Sequence, residues 1–273
     1  MEYEIKPQQK LNLGLKEIWL YREMLFFFTW RDVKVKYKQT ILGFAWAILQ
    51  PLVLMTIFSF AGSALNIPSE SLPHPLFIFS ALTLFMIFSN GITNAGNSML
   101  NNANIIRKIY FPRLIIPISS VLTSLFDFIM AFIILIGMLI FYHDRITFEL
   151  GKFLLLFPVS IIITVISTFG VGTLLAALTI KYRDFRYVTP FLVQFLMFVT
   201  PVLYPISIFH YKGAKYLLAM NPMYSAVELF RSTFNGQLLD FRLVGISMFF
   251  AILFFIFGIY YFRKTEANFA DLA

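Results

Sequence analysis

The chain has 273 residues, 59% of them hydrophobic and only 13% charged, with a net charge of +8. A soluble domain of this size carries about a quarter charged residues, and no folded surface hides this much apolar material. A soluble enzyme is excluded, and one polytopic membrane domain fills the chain. No cysteine is present, which excludes disulfide and thiol chemistry.

Residues 1–12 read as a loose tail. Residues 15–37 then read as an amphipathic helix at the membrane interface. Leu15, Ile18, Tyr21, Leu25 and Phe28 recur at helical spacing, with Lys16, Glu17, Arg22 and Glu23 mostly off that face. Trp19, Tyr21 and Trp30 suit the head-group boundary. The apolar run 25–30 is too short to span. The same pattern also fits a soluble helix packed on a partner.

Six long apolar stretches follow, at about 41–61, 76–96, 114–142, 154–180, 189–209 and 243–262. Each reaches the roughly 20 residues that a helix needs to cross a ~30 Å hydrocarbon layer. The expected fold is an all-α membrane protein with six transmembrane helices over 41–262. Sixteen of the 22 Lys and Arg residues fall before the first stretch, between stretches two and three, between four and five, and in the 263–273 tail. The other six fall on the opposite side, which predicts cytoplasmic termini by the positive-inside rule. An even number of crossings requires the same. Juxtamembrane charge of this kind meets anionic head groups rather than nucleic acid.

Segments 62–75 and 143–153 are short outer loops. Segment 210–242 is longer and moderately apolar. Its parts 217–220 and 224–234 flank Asn221-Pro222, a turn signal. Two short re-entrant helices in the outer leaflet are expected there, tolerated only where protein or water shields their backbone. Pro190, Pro201 and Pro205 predict a bent or broken fifth helix.

Polar residues inside the spans are the candidates for function. Asp127 lies in the middle of the third stretch, where a carboxylate costs several kcal/mol unless paired, protonated or hydrated. No Lys or Arg lies at comparable depth in another stretch. Asp127 therefore faces protein, water or an identical subunit, either as a pathway residue or bonded to hydroxyls such as Thr164, Ser167 or Thr168. Asn90, Asn94, Asn97, Asn101 and Asn104 recur at +4, +3, +4, +3 and fall on one helical face. Uncharged amides donate and accept without trapping a sliding sugar; the alternative is interhelical bonding. Phe191, Phe195 and Phe198 form one face of the fifth stretch, suited to stacking on sugar rings or to packing and lipid contact. Lys34 and Lys38, one turn apart and close to Arg31, are placed to hold a lipid-linked diphosphate; the same charges also set topology.

No G-x-x-x-x-G-K-[ST] phosphate loop is present, so any ATP hydrolysis belongs to another chain. His74, His143 and His210 are isolated and lack metal-ligand spacing. No Ser/His/Asp set is placed for nucleophilic catalysis.

Four segments share one further property. Arg31-Asp32-Val33-Lys34-Val35-Lys36-Tyr37-Lys38-Gln39-Thr40, followed by Leu42-Gly43 and by Trp46…Leu49-Gln50-Pro51, is similar to the start of the polysaccharide-exporting type-2 ABC transporter permeases. Ile105-Ile106-Arg107-Lys108-Ile109-Tyr110-Phe111-Pro112-Arg113, with Pro117, resembles their first cytoplasmic loop. Lys181-Tyr182-Arg183-Asp184-Phe185-Arg186, running to Thr200-Pro201-Val202…Tyr204-Pro205, resembles their second. Asn221-Pro222…Glu228…Arg231 is similar to their outer re-entrant segment.

The resemblance implies a homodimeric permease in a bacterial inner membrane, paired with two copies of an ATP-binding subunit that holds the ATP and magnesium. The cargo it implies is a polysaccharide on an undecaprenyl-diphosphate carrier. The polysaccharide it implies first is an O-antigen, with teichoic acid or capsule as relatives and a drug or lipid exporter as the alternative. Residues 1–40 would then comprise the cytoplasmic tail and a gate helix, with Arg31, Lys34 and Lys38 at the lipid-diphosphate gate. The pathway would use Asn90, Asn94, Asn97, Asp127, Phe191, Phe195 and Phe198. The loop carrying Arg107, Lys108, Tyr110, Phe111 and Arg113 would dock on the ATPase. A membrane-embedded transferase would need a cluster of carboxylates or His at one surface, and an ion-coupled transporter would need several intramembrane ionisable groups. Neither pattern is present.

Overall fold

A computed structural model describes residues 15–38, 43–266 and 269. The expected 1–12 tail, residues 39–42 of the junction motif, and the rest of the tail beyond 266 lie outside them. The described residues contain helices and no strand.

The N-terminal helix is split into α1 (Leu15–Leu20) and α2 (Arg22–Lys38). Backbone bonds from Tyr21 N to Glu17 O (3.0 Å) and from Leu25 N to Tyr21 O (3.1 Å) run through the break. Five helices are long and apolar enough to cross a membrane among the described residues: α3 (Ala45–Ala64), α4 (His74–Asn101), α6 (Ile115–Phe141), α7 (Leu150–Lys181) and α11 (Phe241–Glu266). Between them lie the short α5 (Ala103–Lys108), then α8 (Phe185–Val199), α9 (Lys212–Ala219) and α10 (Pro222–Asn235).

The fifth apolar stretch, expected as one span over 189–209, is not one helix. α8 has 15 residues, a rise of about 22 Å, short of the ~30 Å layer. It stops at Val199 because Thr200 precedes Pro201. The proline ring pushes its predecessor out of the helical region, and Thr200 is extended with ψ 137.

α4 is the axis of the bundle. It packs between α6 and α7, with α3, α8 and α10 around it. Small residues set the close crossings. A Cβ on Gly91 would strike Thr168, and one on Gly170 would lie 2.6 Å from the backbone of Phe255 on α11. α10 is buried along nearly its whole length against α7, α11 and α4. Asn221 caps it by accepting from Met223 N at 2.9 Å, with Pro222 in the first turn. Gly236, with φ 65, ends it in the left-handed region. The Asn221-Pro222 turn thus separates two helices, as the sequence predicts.

α2 does not lie apart from the bundle. Phe28, Val33 and Tyr37 are buried, and α2 packs along α6. Its Ile18–Phe28 face continues from α1 onto the cluster that includes Ile106, Phe111 and Ile115. Trp19, Phe26, Phe27, Trp30 and Val35 stay exposed on the other side.

Candidate functional site

The partner that Asp127 needs comes from α2. Lys36 Nζ forms an ion pair with Asp127 Oδ2, and Tyr37 donates its hydroxyl to Asp127 Oδ1. Asn90 on α4 donates to the same carboxylate at 3.4 Å. Asp127 lies near the midpoint of α6 and is 7% exposed. Two expectations are corrected. A cation does reach the depth of Asp127, from a helix expected at the interface. None of the hydroxyls of Thr164, Ser167 or Thr168 bonds it; each accounts for its proton within its own helix.

Further back along α2, Arg31 donates to Asp32 through Nε (2.9 Å) and Nη2 (2.7 Å), and to Asn102 Oδ1 at 2.9 Å. Asn102 follows the last residue of α4, so α2 is tied to the C-terminal end of α4. Arg31, Lys34 and Lys38 line one groove on the outer side of α2, of about 430 Å³, with Phe27, Trp30 and Val35. Lys34 lies 5.3 Å over the Trp30 ring. Neither Lys34 nor Lys38 pairs with a carboxylate among the described residues.

The amides of α4 form its open edge. From Leu76 onward, the residues of α4 that are not buried are Met86, Ser89, Asn90, Thr93, Asn94, Asn97, Leu100 and Asn101. Every other side of the helix is covered by protein. Asn97 donates to Thr93 O at 3.1 Å, while its Oδ1 is buried with no partner among the described residues. Asn104 leaves the stripe, because α4 ends at Asn101 and Asn104 belongs to α5. α8 lies beside α4, with Thr189 next to Gly96. Phe191, Phe195 and Phe198 point away from the bundle on the outer face of α8.

The end of α5 and the loop after it are divided. Arg107, Lys108, Ile109 and Tyr110 are exposed, Tyr110 at 76%. Phe111 is turned inward, its ring 5.8 Å from that of Phe28 on α2. Arg113 is occupied too. Its side chain donates to Glu266 O, and its backbone N donates to Glu266 Oε1 at 3.3 Å. Glu266 in turn pairs with Arg263 at 2.7 Å. Among the expected docking residues, Phe111 and Arg113 are therefore structural in this conformation, because packing and hydrogen bonding claim them. The face open to a partner is 107–110.

The family signature of ABC-2 type transporters matches residues 23–235. The chain belongs to that family. Across 97% of its length it is 28% identical to an O-antigen export system permease protein RfbA of Klebsiella pneumoniae, covering 98% of that protein. It is 28% identical to the RfbA permease of Myxococcus xanthus, over 81% of this chain and 83% of the relative. The polysialic acid transport protein KpsM of Escherichia coli is 25% identical over 74% of this chain and 77% of its own.

Within this ABC-2 transporter chain, one residue of structural weight carries no periodic signal. Arg231 is fully buried. It donates to Pro201 O (2.6 Å), Val202 O (2.9 Å) and Phe77 O (2.9 Å), and its guanidinium lies 3.6 Å from the Phe77 ring centre. Pro201 and Val202 carry carbonyls released by the break after α8, so Arg231 supplies the donors that the broken helix lacks. Asn221 reinforces the joint by donating to Thr200 Oγ1 at 2.8 Å. The signals for Arg231 in the sequence are a basic residue in a moderately apolar segment and its place in the Asn221-Pro222…Glu228…Arg231 motif, and neither names the carbonyls it clamps.

Proposed function

We propose that this chain is the transmembrane subunit of a bacterial inner-membrane exporter for a lipid-linked polysaccharide, powered by a separate ATPase. The observation that carries the reading is the edge of α4. On a helix otherwise enclosed by protein, the open line between Met86 and Leu100 is amide and hydroxyl, without a charge. Such a line within a membrane suits a neutral, hydroxyl-rich polymer that must slide without being trapped. Asn94, exposed in the middle of that edge, offers the polymer both donors and an acceptor.

The exposed cations of α2 support the same reading. Lys38 follows the Lys36–Asp127 contact by two residues, on the opposite side of the helix. An ammonium turned to lipid at that depth costs several kcal/mol. Water, protein or the anionic head of a substrate relieves that cost. A lipid diphosphate on Arg31, Lys34 and Lys38 fits, with α2 as the gate.

In this reading α8 and the turn after it complete a sixth crossing, α9 and α10 are re-entrant from the outer side, and both termini are cytoplasmic. Two copies of the chain enclose the conduit, with Asn90, Asn94 and Asn97 facing the Phe191, Phe195 and Phe198 ladder. Two ATP-binding subunits, which hold ATP and magnesium, dock at Arg107, Lys108 and Tyr110. The RfbA relatives favour an O-antigen on undecaprenyl diphosphate. The KpsM relative favours a capsular polymer as the second reading.

The test is transport. In vesicles carrying the chain and its ABC ATPase, an undecaprenyl-diphosphate-linked glycan should become accessible to a lectin on the far leaflet only with ATP. Glycan movement without the ATPase, or none with it, would overturn the proposal.

A further inference from the structure

Beneath α2, on the side away from the basic groove, a cavity of about 180 Å³ lies between α2, α3, α4 and α6. A cavity of this volume has room for roughly six waters at liquid density, enough for one hexose ring. Trp46, half exposed, supplies an aromatic wall, and Met86 and Phe128 are apolar neighbours in the lining. Gln50 follows Trp46 by one helical turn and shares its face. The Gln50 amide makes no hydrogen bond among the described residues, and Asn90 uses only its Nδ2, leaving Oδ1 open.

Charge distinguishes this cavity from the outer groove. Its ammonium, Lys36, and its carboxylate, Asp127, are paired with one another. A diphosphate gains no net charge here, whereas Arg31, Lys34 and Lys38 offer three cations against the single Asp32. An aromatic wall, open amides at the rim and charge balance match a neutral pyranose. Its C–H face stacks on the indole and its hydroxyls bond the amides.

We infer that this cavity is a subsite for one sugar ring of the lipid-linked glycan, held by Trp46, Gln50 and Asn90. The inference rests on the proposed export function and adds to it where a single residue of the polymer is read. Asn90 belongs both to the cavity and to the amide edge of α4, so a ring leaving the subsite meets Asn94 next.

The wild-type chain contains no cysteine, which allows a clean probe. Ala47 lines the cavity, and Ala47→Cys adds one small reactive group to its wall. The variant, with its ATPase in nanodiscs, is treated with a water-soluble methanethiosulfonate. Undecaprenyl-diphosphate-N-acetylglucosamine should slow modification by about fivefold or more, the equivalent of ~1 kcal/mol of protection. Bare undecaprenyl diphosphate should not slow it. Gln50→Leu or Asn90→Leu in the same background should remove the protection. Equal protection by both lipids would show a prenyl or diphosphate site and overturn the subsite. No protection by either lipid, while the glycolipid still stimulates ATP turnover, would also overturn it and leave the export reading standing. If the glycolipid stimulates no turnover and is not transported, the export reading falls, and the subsite with it. Should the Cys variant fail to fold, Trp46 emission in a Trp19→Phe, Trp30→Phe chain gives the same comparison between the two lipids.

Discussion

Lys36 on α2 and Asp127 on α6 stand 91 residues apart in sequence and form an ion pair close to the middle of a membrane helix. The two members are unequal. The Lys36 side chain is 38% exposed and the Asp127 side chain 9%. Removing Lys36 leaves a buried carboxylate with Tyr37 and Asn90 as its partners among the described residues, while removing Asp127 leaves an ammonium on the more exposed of the two side chains. Lys36→Met should therefore destabilise the purified chain more than Asp127→Asn, by about 1–2 kcal/mol, and the double variant should recover part of the loss. Thermal melts in detergent measure this. A larger loss from Asp127→Asn would mean that Lys36 does not serve as the counterion.

Arg231 joins α10 to the start of α4 and to the broken end of α8 through three carbonyls. Arg231→Met leaves those carbonyls in a dry interior and should cost about 3 kcal/mol or more. Arg231→Lys should not rescue, because one ammonium cannot reproduce a planar fork. The monodisperse fraction on size exclusion reports the loss. Full rescue by Lys would show that charge alone suffices.

The loop after α5 predicts a separation of effects. Tyr110 is exposed and Phe111 is buried on Phe28. Tyr110→Ala should leave the melting temperature unchanged and lower glycolipid-stimulated ATP turnover by about tenfold, the scale of losing one buried aromatic anchor at an interface. Phe111→Ala should destabilise the chain itself by roughly 2–4 kcal/mol. If Tyr110→Ala leaves turnover and export intact, the partner does not dock there.

The sequence disclosed features that depend on local period. The amide stripe was legible because +3 and +4 spacing fixes a helical face, and a break in the fifth stretch because prolines disrupt a helix, although nothing in the sequence placed that break at Val199. The Asn221-Pro222 joint was legible for the same reason. Long-range pairings were not. Lys36 sits on a helix whose composition suits the interface, and nothing local says that it reaches Asp127. Arg231 bonds main-chain carbonyls, which carry no side-chain signature. Phe111 and Tyr110 are adjacent aromatics, and only the position of α2 decides which one is covered. Asn104 was grouped with the stripe because the break between α4 and α5 contains no proline or glycine to mark it.

Gly170 faces the backbone of Phe255 where α7 crosses α11. Any Cβ there forces the helices apart. Gly170→Val should destabilise by about 1–3 kcal/mol or more, seen as lost thermal stability or membrane yield. Gly137, where an added Cβ meets nothing within 4 Å, is the control, and Gly137→Ala should be neutral. Equal behaviour of the two variants would contradict the tight crossing.

The most direct test places a photo-crosslinking benzoylphenylalanine at Asn94, the exposed amide in the middle of the α4 edge. Illumination of the working transporter, with its ATPase and a lipid-linked glycan, should yield a glycan adduct that appears with ATP and disappears without it. Adducts to phospholipid alone, whatever the nucleotide, would place that edge against the bilayer and contradict a sugar path along α4.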